Sequence, residues 1–172
     1  MADGYRGLFG AFPYAFGSTD SRLFKSYVLV GGLAAAALSL FILLALVVLI
    51  GQTASIQGGS LTLSRAFYIV VGLFVVTPVL APVLLVARRH RRELAADAGA
   101  RYDQSLAVAG YLFLASLFVG LVISVPAEFQ TPPTGLFAPV VSVLYALPPL
   151  AGLLPPLVAG LLILAVHRVL GR

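Results

Sequence analysis

The sequence predicts an all-α integral membrane protein with four transmembrane helices. Of its 172 residues, 60% are hydrophobic and only 10% are charged, whereas about a quarter of the residues of a soluble domain are charged. The apolar residues form four long runs, at about 27–50, 66–87, 106–125 and 148–166. Each run is close to the roughly 20 residues that a helix needs to cross the hydrocarbon core. The whole chain, 1–172, is therefore expected to be a single transmembrane domain.

The positive charges predict the orientation of these helices. Lys and Arg are retained on the cytoplasmic side of a membrane. With the N- and C-termini in the cytoplasm, ten of the eleven Lys and Arg residues fall on that side, and only Arg65 lies outside. Residues 88–105 then form a basic cytoplasmic loop that is expected to contact anionic lipid head groups. The arginines assigned to this topology and lipid-binding role are Arg88, Arg89, Arg91, Arg92 and Arg101.

The N-terminal segment, residues 1–26, combines aromatic side chains with glycines. Aromatic side chains partition to the head-group region, so this segment is expected to lie on the membrane surface. The alternative is a disordered tail. Residues 18–21 offer several N-caps for a helix that continues through Arg22 and Lys25 into the first span. The apolar run is too long for a signal peptide, and no clear cleavage site follows it.

Small residues predict where the helices pack against one another. Such residues let two helix backbones approach closely in a membrane. In the first span they precede a run of alanines, and in the third they recur at every fourth position. The packing residues are Gly31, Gly32, Ser116, Gly120 and Ser124.

The connections between the first three spans also have predicted forms. Residues 51–65 are expected to be an external loop. The second span should kink at Pro78 and Pro82, because neither residue can donate a backbone hydrogen bond. The same helix is expected to extend into the cytoplasm and to stop at Gly99. Residues Asp103, Gln104 and Ser105 can then cap the third span.

The last apolar region, residues 139–166, is too long for one straight transmembrane helix and contains two proline pairs. It predicts either a strongly kinked helix or a short external half-helix over 139–147, followed by the true span from Pro148. Backbone carbonyls released at these positions could line a pore or bind a ligand. The candidate lining residues are Ser142, Tyr145, Pro148, Pro149, Pro155 and Pro156.

The sequence contains no recognisable catalytic or metal-binding motif, and we expect no cofactor. No ionisable residue falls within a predicted span, which argues against an ion-coupled transporter. His90 and His167 are interpreted as ordinary members of the basic flanks, since a metal site would need further ligands nearby. The acids Glu93, Asp97 and Asp103 are interpreted as part of a solvated charged surface.

The chain resembles the uncharacterised small four-span membrane proteins of haloarchaea and other GC-rich genomes. The resemblance lies in the preference for arginine over lysine, in the runs of Ala, Val, Leu and Gly, and in the aromatic opening of residues 7–16. It is general in character and implies a multi-pass protein of the cell membrane. It implies no active-site residue.

Taken together, these patterns predict a non-enzymatic membrane scaffold or an accessory subunit of a membrane complex. Its expected partners are membrane lipids and other membrane subunits, or further copies of the same chain. The positive charges lie next to apolar spans rather than on a soluble fold, so nucleic acid is not an expected partner. The alternative function is a pore or transporter component lined by hydroxyl groups and by the carbonyls that the prolines release.

Overall fold

The computed structural model describes residues 7–54, 59–92 and 96–171, and all regular structure in this part of the chain is helical. Six α-helices follow one another: α1 (Gly7–Ser18), α2 (Arg22–Thr53), α3 (Gly59–Arg91), α4 (Ala96–Ile123), α5 (Ala138–Tyr145) and α6 (Leu154–Leu170). Two short 3-10 helices lie at Ala127–Phe129 and Pro149–Leu153. Four stretches are long and apolar enough to cross a membrane: Arg22–Thr53, Leu63–Arg91, Gly99–Ile123 and Pro149–Leu170.

The junction between α1 and α2 is capped as the sequence predicts. Ser21 is the N-cap of α2, and its hydroxyl accepts a hydrogen bond of 3.2 Å from the Phe24 backbone N–H. Helix α1 packs along α3 and against α2, so that Ala11 and Ala15 are completely buried. Phe12 contacts α2 at Gly32. One face of α1 is therefore covered by the protein, and its predicted position at the membrane surface stays a prediction.

The predicted loop over residues 51–65 is wrong in its bounds. Helix α2 continues to Thr53 and α3 begins at Gly59, because the polar residues at these helix ends are compatible with a helix that extends beyond the apolar core. The two helix ends are joined by Arg65, whose Nη2 donates to the Thr53 carbonyl (3.0 Å) and to its Oγ1 (2.7 Å). Helix α3 then continues through Pro78 and Pro82 as one element.

The interior of the bundle is organised around Tyr27, which is fully buried. Its hydroxyl donates a 2.7 Å hydrogen bond to the carbonyl of Val79, between the two prolines of α3. Its ring lies against Gly110 of α4 and meets the ring of Tyr111 edge-on, with the ring centres 5.2 Å apart. Helices α2, α3 and α4 therefore meet at this single side chain.

Helix α4 begins earlier than the sequence predicts. The cytoplasmic extension of the second span was expected to reach Gly99, but α3 ends at Arg91 and α4 begins at Ala96. Gly99 and Asp103 therefore lie inside α4, so the predicted stop at Gly99 and the predicted cap at Asp103 are both wrong. The physical reason is that Asp103 uses its carboxylate for contacts with other helices rather than for the backbone of its own.

The last apolar region is divided into three elements, and the proline pairs lie at the boundaries between them. Helix α5 ends at Tyr145, residues 146–148 connect it to the second 3-10 helix, and α6 follows directly. Each proline pair falls at the start of an element, with Pro149 and Pro155 in first-turn positions. A first-turn N–H has no partner within its helix, so a proline there removes no hydrogen bond.

The helices have unequal lengths on the two sides of the Tyr27–Gly110 contact. Beyond this contact α4 continues for 13 residues, about 20 Å, whereas α2 continues for 26 residues, about 39 Å. The far half of α2 therefore runs beyond the end of α4. Among the described residues α2 contacts α1, α3 and α4 and no later helix, so its far half packs beside α3.

Candidate functional site

A cluster of hydrogen-bonded polar side chains lies at the end of the bundle that carries residues 88–92, which we call the basic end. Four parts of the fold meet there: the α1–α2 junction, the end of α3, the start of α4 and the end of α6. The members of this polar cluster are Thr19, Arg89, His90, Tyr102, Asp103 and His167.

Asp103 is the central acid of the polar cluster, and only 1% of its side chain is exposed. Its Oδ2 accepts a hydrogen bond of 2.5 Å from the Thr19 hydroxyl and lies 2.9 Å from Nε2 of His90. The Thr19 hydroxyl oxygen also accepts from the backbone N–H of Ser21, at 3.2 Å. A buried carboxylate is costly unless it is hydrogen-bonded or paired with a positive group. Thr19 and His90 supply these partners from the α1–α2 junction and from α3.

The second oxygen of Asp103, Oδ1, is buried and has no hydrogen-bond partner within the described residues. The other oxygen, Oδ2, pairs the carboxylate of Asp103 with the imidazole of His90. One quarter of the His90 side chain is exposed, at 25%, so the pair has access to the surface of the protein through its imidazole.

The second half of the polar cluster joins α3, α4 and α6. The Tyr102 hydroxyl and Nδ1 of His167 are hydrogen-bonded at 2.7 Å. The guanidinium of Arg89 stacks 4.2 Å above the centre of the Tyr102 ring, and its Nη1 donates 2.6 Å to the carbonyl of Leu170. Arg89 thereby places a positive charge at the C-terminal end of α6, where the helix dipole is negative.

The side chains of the polar cluster contact one another across helices. Each imidazole is already paired with a side chain of α4, and no cluster of three or more metal-ligating side chains occurs among the described residues. No serine or threonine of the polar cluster is paired with a histidine as a nucleophile would be. Thr19 donates to a carboxylate instead.

The predicted topology arginines do not all have the same environment. Arg88, Arg91, Arg92 and Arg101 are exposed, as lipid contact would require. Arg89 is half-buried, because its guanidinium is stacked on Tyr102.

The predicted packing residues lie at several different contacts. Gly31 is buried beside the ring of Tyr27 on its own helix, and Gly32 faces Phe12 of α1. The Ser116 hydroxyl donates to the Phe113 carbonyl of its own helix at 2.7 Å.

Gly120 and Ser124 belong to one close contact between the end of α4 and the second 3-10 helix, which leads directly into α6. A Cβ atom at Gly120 would collide with the backbone carbonyl of Gly152, and a Cβ at Gly152 would collide with the backbone of Gly120. Ser124 donates a hydrogen bond of 3.2 Å to the carbonyl of Pro149. The two backbones therefore touch at a pair of glycines.

The candidate pore-lining residues are found on or next to exposed parts of the chain. Ser142 is exposed and donates 2.8 Å to the carbonyl of Pro139 within α5, and Tyr145 is half-buried at the end of the same helix. Pro148 and Pro149 are exposed, whereas Pro155 and Pro156 are half-buried in the first turn of α6.

The sequence interpretation missed the polar cluster. Asp103 was assigned to a solvated surface, which is wrong because it is buried between the α1–α2 junction and α3. Glu93 and the side chain of Asp97 lie outside the described residues. His90 and His167 were interpreted as ordinary flanking residues, but each contacts α4. Two features of the sequence could have indicated the polar cluster. Tyr102 and Asp103 are adjacent, and two other spans each end in a histidine, His90 and His167.

The fold and this site define the class of the protein. It is a small multi-pass membrane protein in which four helices are long and apolar enough to span a bilayer. The chain belongs to a family described as a domain of unknown function, DUF8056, whose family model matches residues 1–171. Comparison with the curated proteins and with the solved structures finds no match. The resemblance to haloarchaeal proteins in particular stays a prediction.

Proposed function

We propose that this protein is a non-enzymatic scaffold or accessory subunit of a membrane complex, located in the cell membrane with both termini in the cytoplasm. The observation that carries the proposal is the unequal burial of its spans. In the most apolar window of α2 only 6% of the residues are buried within the chain, against 44% for α4. Helix α2 therefore lies at the edge of the bundle, where a second protein can reach it.

One face of α2 has the residue spacing of a helix–helix interface. Its members are separated by alternating steps of four and three residues, which is the heptad spacing of two helices packed along their length. All of them are exposed, and the alanine among them allows a neighbouring backbone to approach. This heptad face consists of Leu29, Leu33, Ala36, Leu40, Leu43 and Val47.

The partner that fits this face is an apolar transmembrane helix, contributed by another subunit or by a second copy of the chain. The basic end supports a cytoplasmic assignment for both termini, since the last turn of α3 contains Arg88, Arg89 and Arg91, and the last turn of α6 contains Arg168. The exposed arginines there are suited to anionic lipid head groups. Nucleic acid is not part of the proposal.

The absence of an enzymatic role is also part of the proposal. In the polar cluster the Thr19 hydroxyl and Nε2 of His90 are directed at the Asp103 carboxylate. The Tyr102 hydroxyl is directed at Nδ1 of His167. Catalysis would require at least one nucleophile or base directed at a site where a substrate can bind. The described residues of the polar cluster instead connect helices.

The alternative function is a pore or transporter component. A pore would need free hydroxyl groups and the carbonyls that the proline pairs release. The Ser142 hydroxyl, however, donates a hydrogen bond within its own helix, and the Ser124 hydroxyl donates one to the carbonyl of Pro149. Each proline pair also lies at the start of a helical element: Pro148 and Pro149 at the start of the second 3-10 helix, and Pro155 and Pro156 in the first turn of α6. These contacts favour the scaffold over the pore, which would have to form between several copies.

The chain contains no cysteine, so single cysteines can test the heptad face in native membranes. Leu33→Cys and Leu40→Cys should cross-link to one neighbouring protein, and Leu161→Cys on the exposed side of α6 is the matched control. Cross-links at the α2 positions alone support the proposal. Equal yields at all three positions would contradict it. A homo-oligomer that conducts ions in liposomes would support the pore instead.

A further inference from the structure

A groove runs along the far half of α2, on a face of this helix other than the heptad face. Its volume is about 440 Å³, which is within the range of about 300–1,000 Å³ that is usual for ligand sites. Six of its lining residues follow helical spacing along α2, and one comes from α3. The groove is lined by Phe41, Leu44, Ala45, Val48, Leu49, Gln52 and Tyr68.

Two contacts between α2 and α3 lie near the ends of this groove. Toward the centre of the bundle, Ile42 packs so closely on Gly72 that an added Cβ would lie 2.9 Å from it. At the far end, Arg65 binds both the carbonyl and the hydroxyl of Thr53. The hairpin of α2 and α3 is thus held at both ends. The groove lies between these contacts, in the part of α2 that extends beyond α4.

The groove is apolar along its length and polar at its far end. Gln52 and Tyr68 line it there, and Arg65 precedes Tyr68 by three residues, which places the two side chains on one side of α3. The Nε–H group of Arg65 is also a donor; it is buried and has no hydrogen-bond partner within the described residues. A charged donor of this kind is suited to an anionic oxygen.

The position of Arg65 gives a second reason to expect an anion. Arg65 and Arg88 both lie on α3 and are about 35 Å apart along the helix axis. The other ten Lys and Arg residues are assigned to the basic end, so Arg65 is an exception. A charge near hydrocarbon is costly without a partner. Thr53 is neutral. It accepts hydrogen bonds from Nη2 of Arg65 but does not balance the positive charge of the guanidinium.

The length of the groove matches one leaflet of a bilayer. From Phe41 to Gln52 the helix rises about 16 Å, and half of the hydrocarbon core is about 15 Å thick. A chain lying in the groove would extend from the head-group level at Arg65 to the middle of the membrane.

We propose that the α2–α3 groove is a binding site for one anionic phospholipid, with the phosphate oxygens on Arg65 and one hydrocarbon chain along the apolar face of α2. The site is at the opposite end of the bundle from the basic end. It does not depend on the heptad face or on the scaffold function.

The hydrocarbon-chain part of the site can be tested by filling the groove. Ala45 is exposed in its centre, and Ala165 is an exposed alanine on α6, outside the groove and the heptad face, so Ala45→Trp and Ala165→Trp are matched variants. Native mass spectrometry of the purified protein with added phosphatidylglycerol measures the lipid bound. Ala45→Trp should weaken binding at least about tenfold, whereas Ala165→Trp should bind like the parent protein. Equal binding by both variants would overturn the proposal.

The head-group part is tested by varying Arg65 and its neighbour separately. Arg65→Gln should lose preference for phosphatidylglycerol over phosphatidylcholine, whereas Thr53→Ala, which removes a contact of Arg65 but keeps its charge, should retain it. Inorganic phosphate at matched concentration should not displace the lipid, because it lacks the chain. An unchanged preference in Arg65→Gln, or displacement by phosphate alone, would overturn this assignment.

Discussion

Tyr27 and Gly110 are complementary: the ring of Tyr27 fills the space that a side chain at position 110 would require. The ring cannot move aside easily, because it is fully buried and its hydroxyl is bonded to Val79 in α3. This relationship joins three helices through a single contact, and it makes the glycine as important as the aromatic side chain that covers it.

Gly110→Ala should therefore destabilise the protein, by about 1–3 kcal/mol for an overpacked core position. The added methyl group would collide with the Tyr27 ring. The measurement is thermal unfolding in a mild detergent. Gly51→Ala is the control, since nothing lies within 4 Å of a Cβ at that exposed position. If both variants unfold at the same temperature, Tyr27 has room to move and the contact is looser than described.

Asp103→Ala should also destabilise the protein, because it removes the acceptor for Thr19 and the partner of His90. The expected loss is about 1–3 kcal/mol, the usual cost of leaving buried polar partners unpaired. Asp20→Ala, at an exposed position of the α1–α2 junction, is the control for removing a negative charge. A loss no larger than that of the control would mean that the polar cluster does not hold the helices together.

Gly120→Leu should weaken the contact between α4 and the start of α6. Even a single Cβ atom at this position would meet the carbonyl of Gly152, and leucine is at least as compatible with lipid as glycine, so any loss reports packing. We expect a loss of about 1 kcal/mol or more in thermal unfolding. Gly51→Leu provides the comparison, and unchanged stability of Gly120→Leu relative to it would contradict the close backbone contact.

The proposed orientation can be checked with topology reporters. A reporter fused after Arg172 and another inserted near Asp97 should both report the cytoplasm, because these positions follow the basic flanks. Reporters at Gly58 and Thr134 should report the outside. A cytoplasmic signal at Gly58 would be incompatible with four spans and cytoplasmic termini.

The proline pair of α6 should contribute to stability rather than to activity. Pro155 lies in the first turn of α6, where it removes no helical hydrogen bond, so Pro155→Ala should cost only about 0.4–1 kcal/mol through greater freedom of the unfolded chain. Thermal unfolding again measures the change. If Pro155→Ala abolished ligand binding or ion flux without changing stability, the proline pair would have a functional role and this prediction would be wrong.

Properties that depend on local sequence were predictable from the chain. Four apolar runs correspond to four helices that are long and apolar enough to span a membrane, and the serine before Arg22 is the N-cap of α2. The ends of α2 and α3 were not predictable, because polarity marks where a span leaves hydrocarbon and not where its helix stops. Proline pairs are equally ambiguous, since they can interrupt one helix or begin the next.

The polar cluster could not be predicted because its contacts join residues far apart in sequence. Thr19 and Asp103 are 84 positions apart, and Tyr102 and His167 are 65 apart. The sequence shows a histidine at the end of each of two spans, but it does not show which side chain of another helix each histidine contacts. The sequence also does not distinguish the adjacent Arg88 and Arg89. Arg88 is exposed, whereas the guanidinium of Arg89 is stacked on the ring of Tyr102.

The unequal lengths of the helices have a consequence for the lipid around the protein. Beyond the Tyr27–Gly110 contact, α2 is about 19 Å longer than α4, so the two flanks of the molecule present apolar walls of different height. A bilayer accommodates such a mismatch by tilting the protein or by changing its own thickness, and either response costs free energy for each ångström. Two copies that turn their taller flanks toward each other share one deformed patch of bilayer instead of maintaining two. Membrane elasticity alone then favours their association, to an extent set by the chain length of the surrounding lipids.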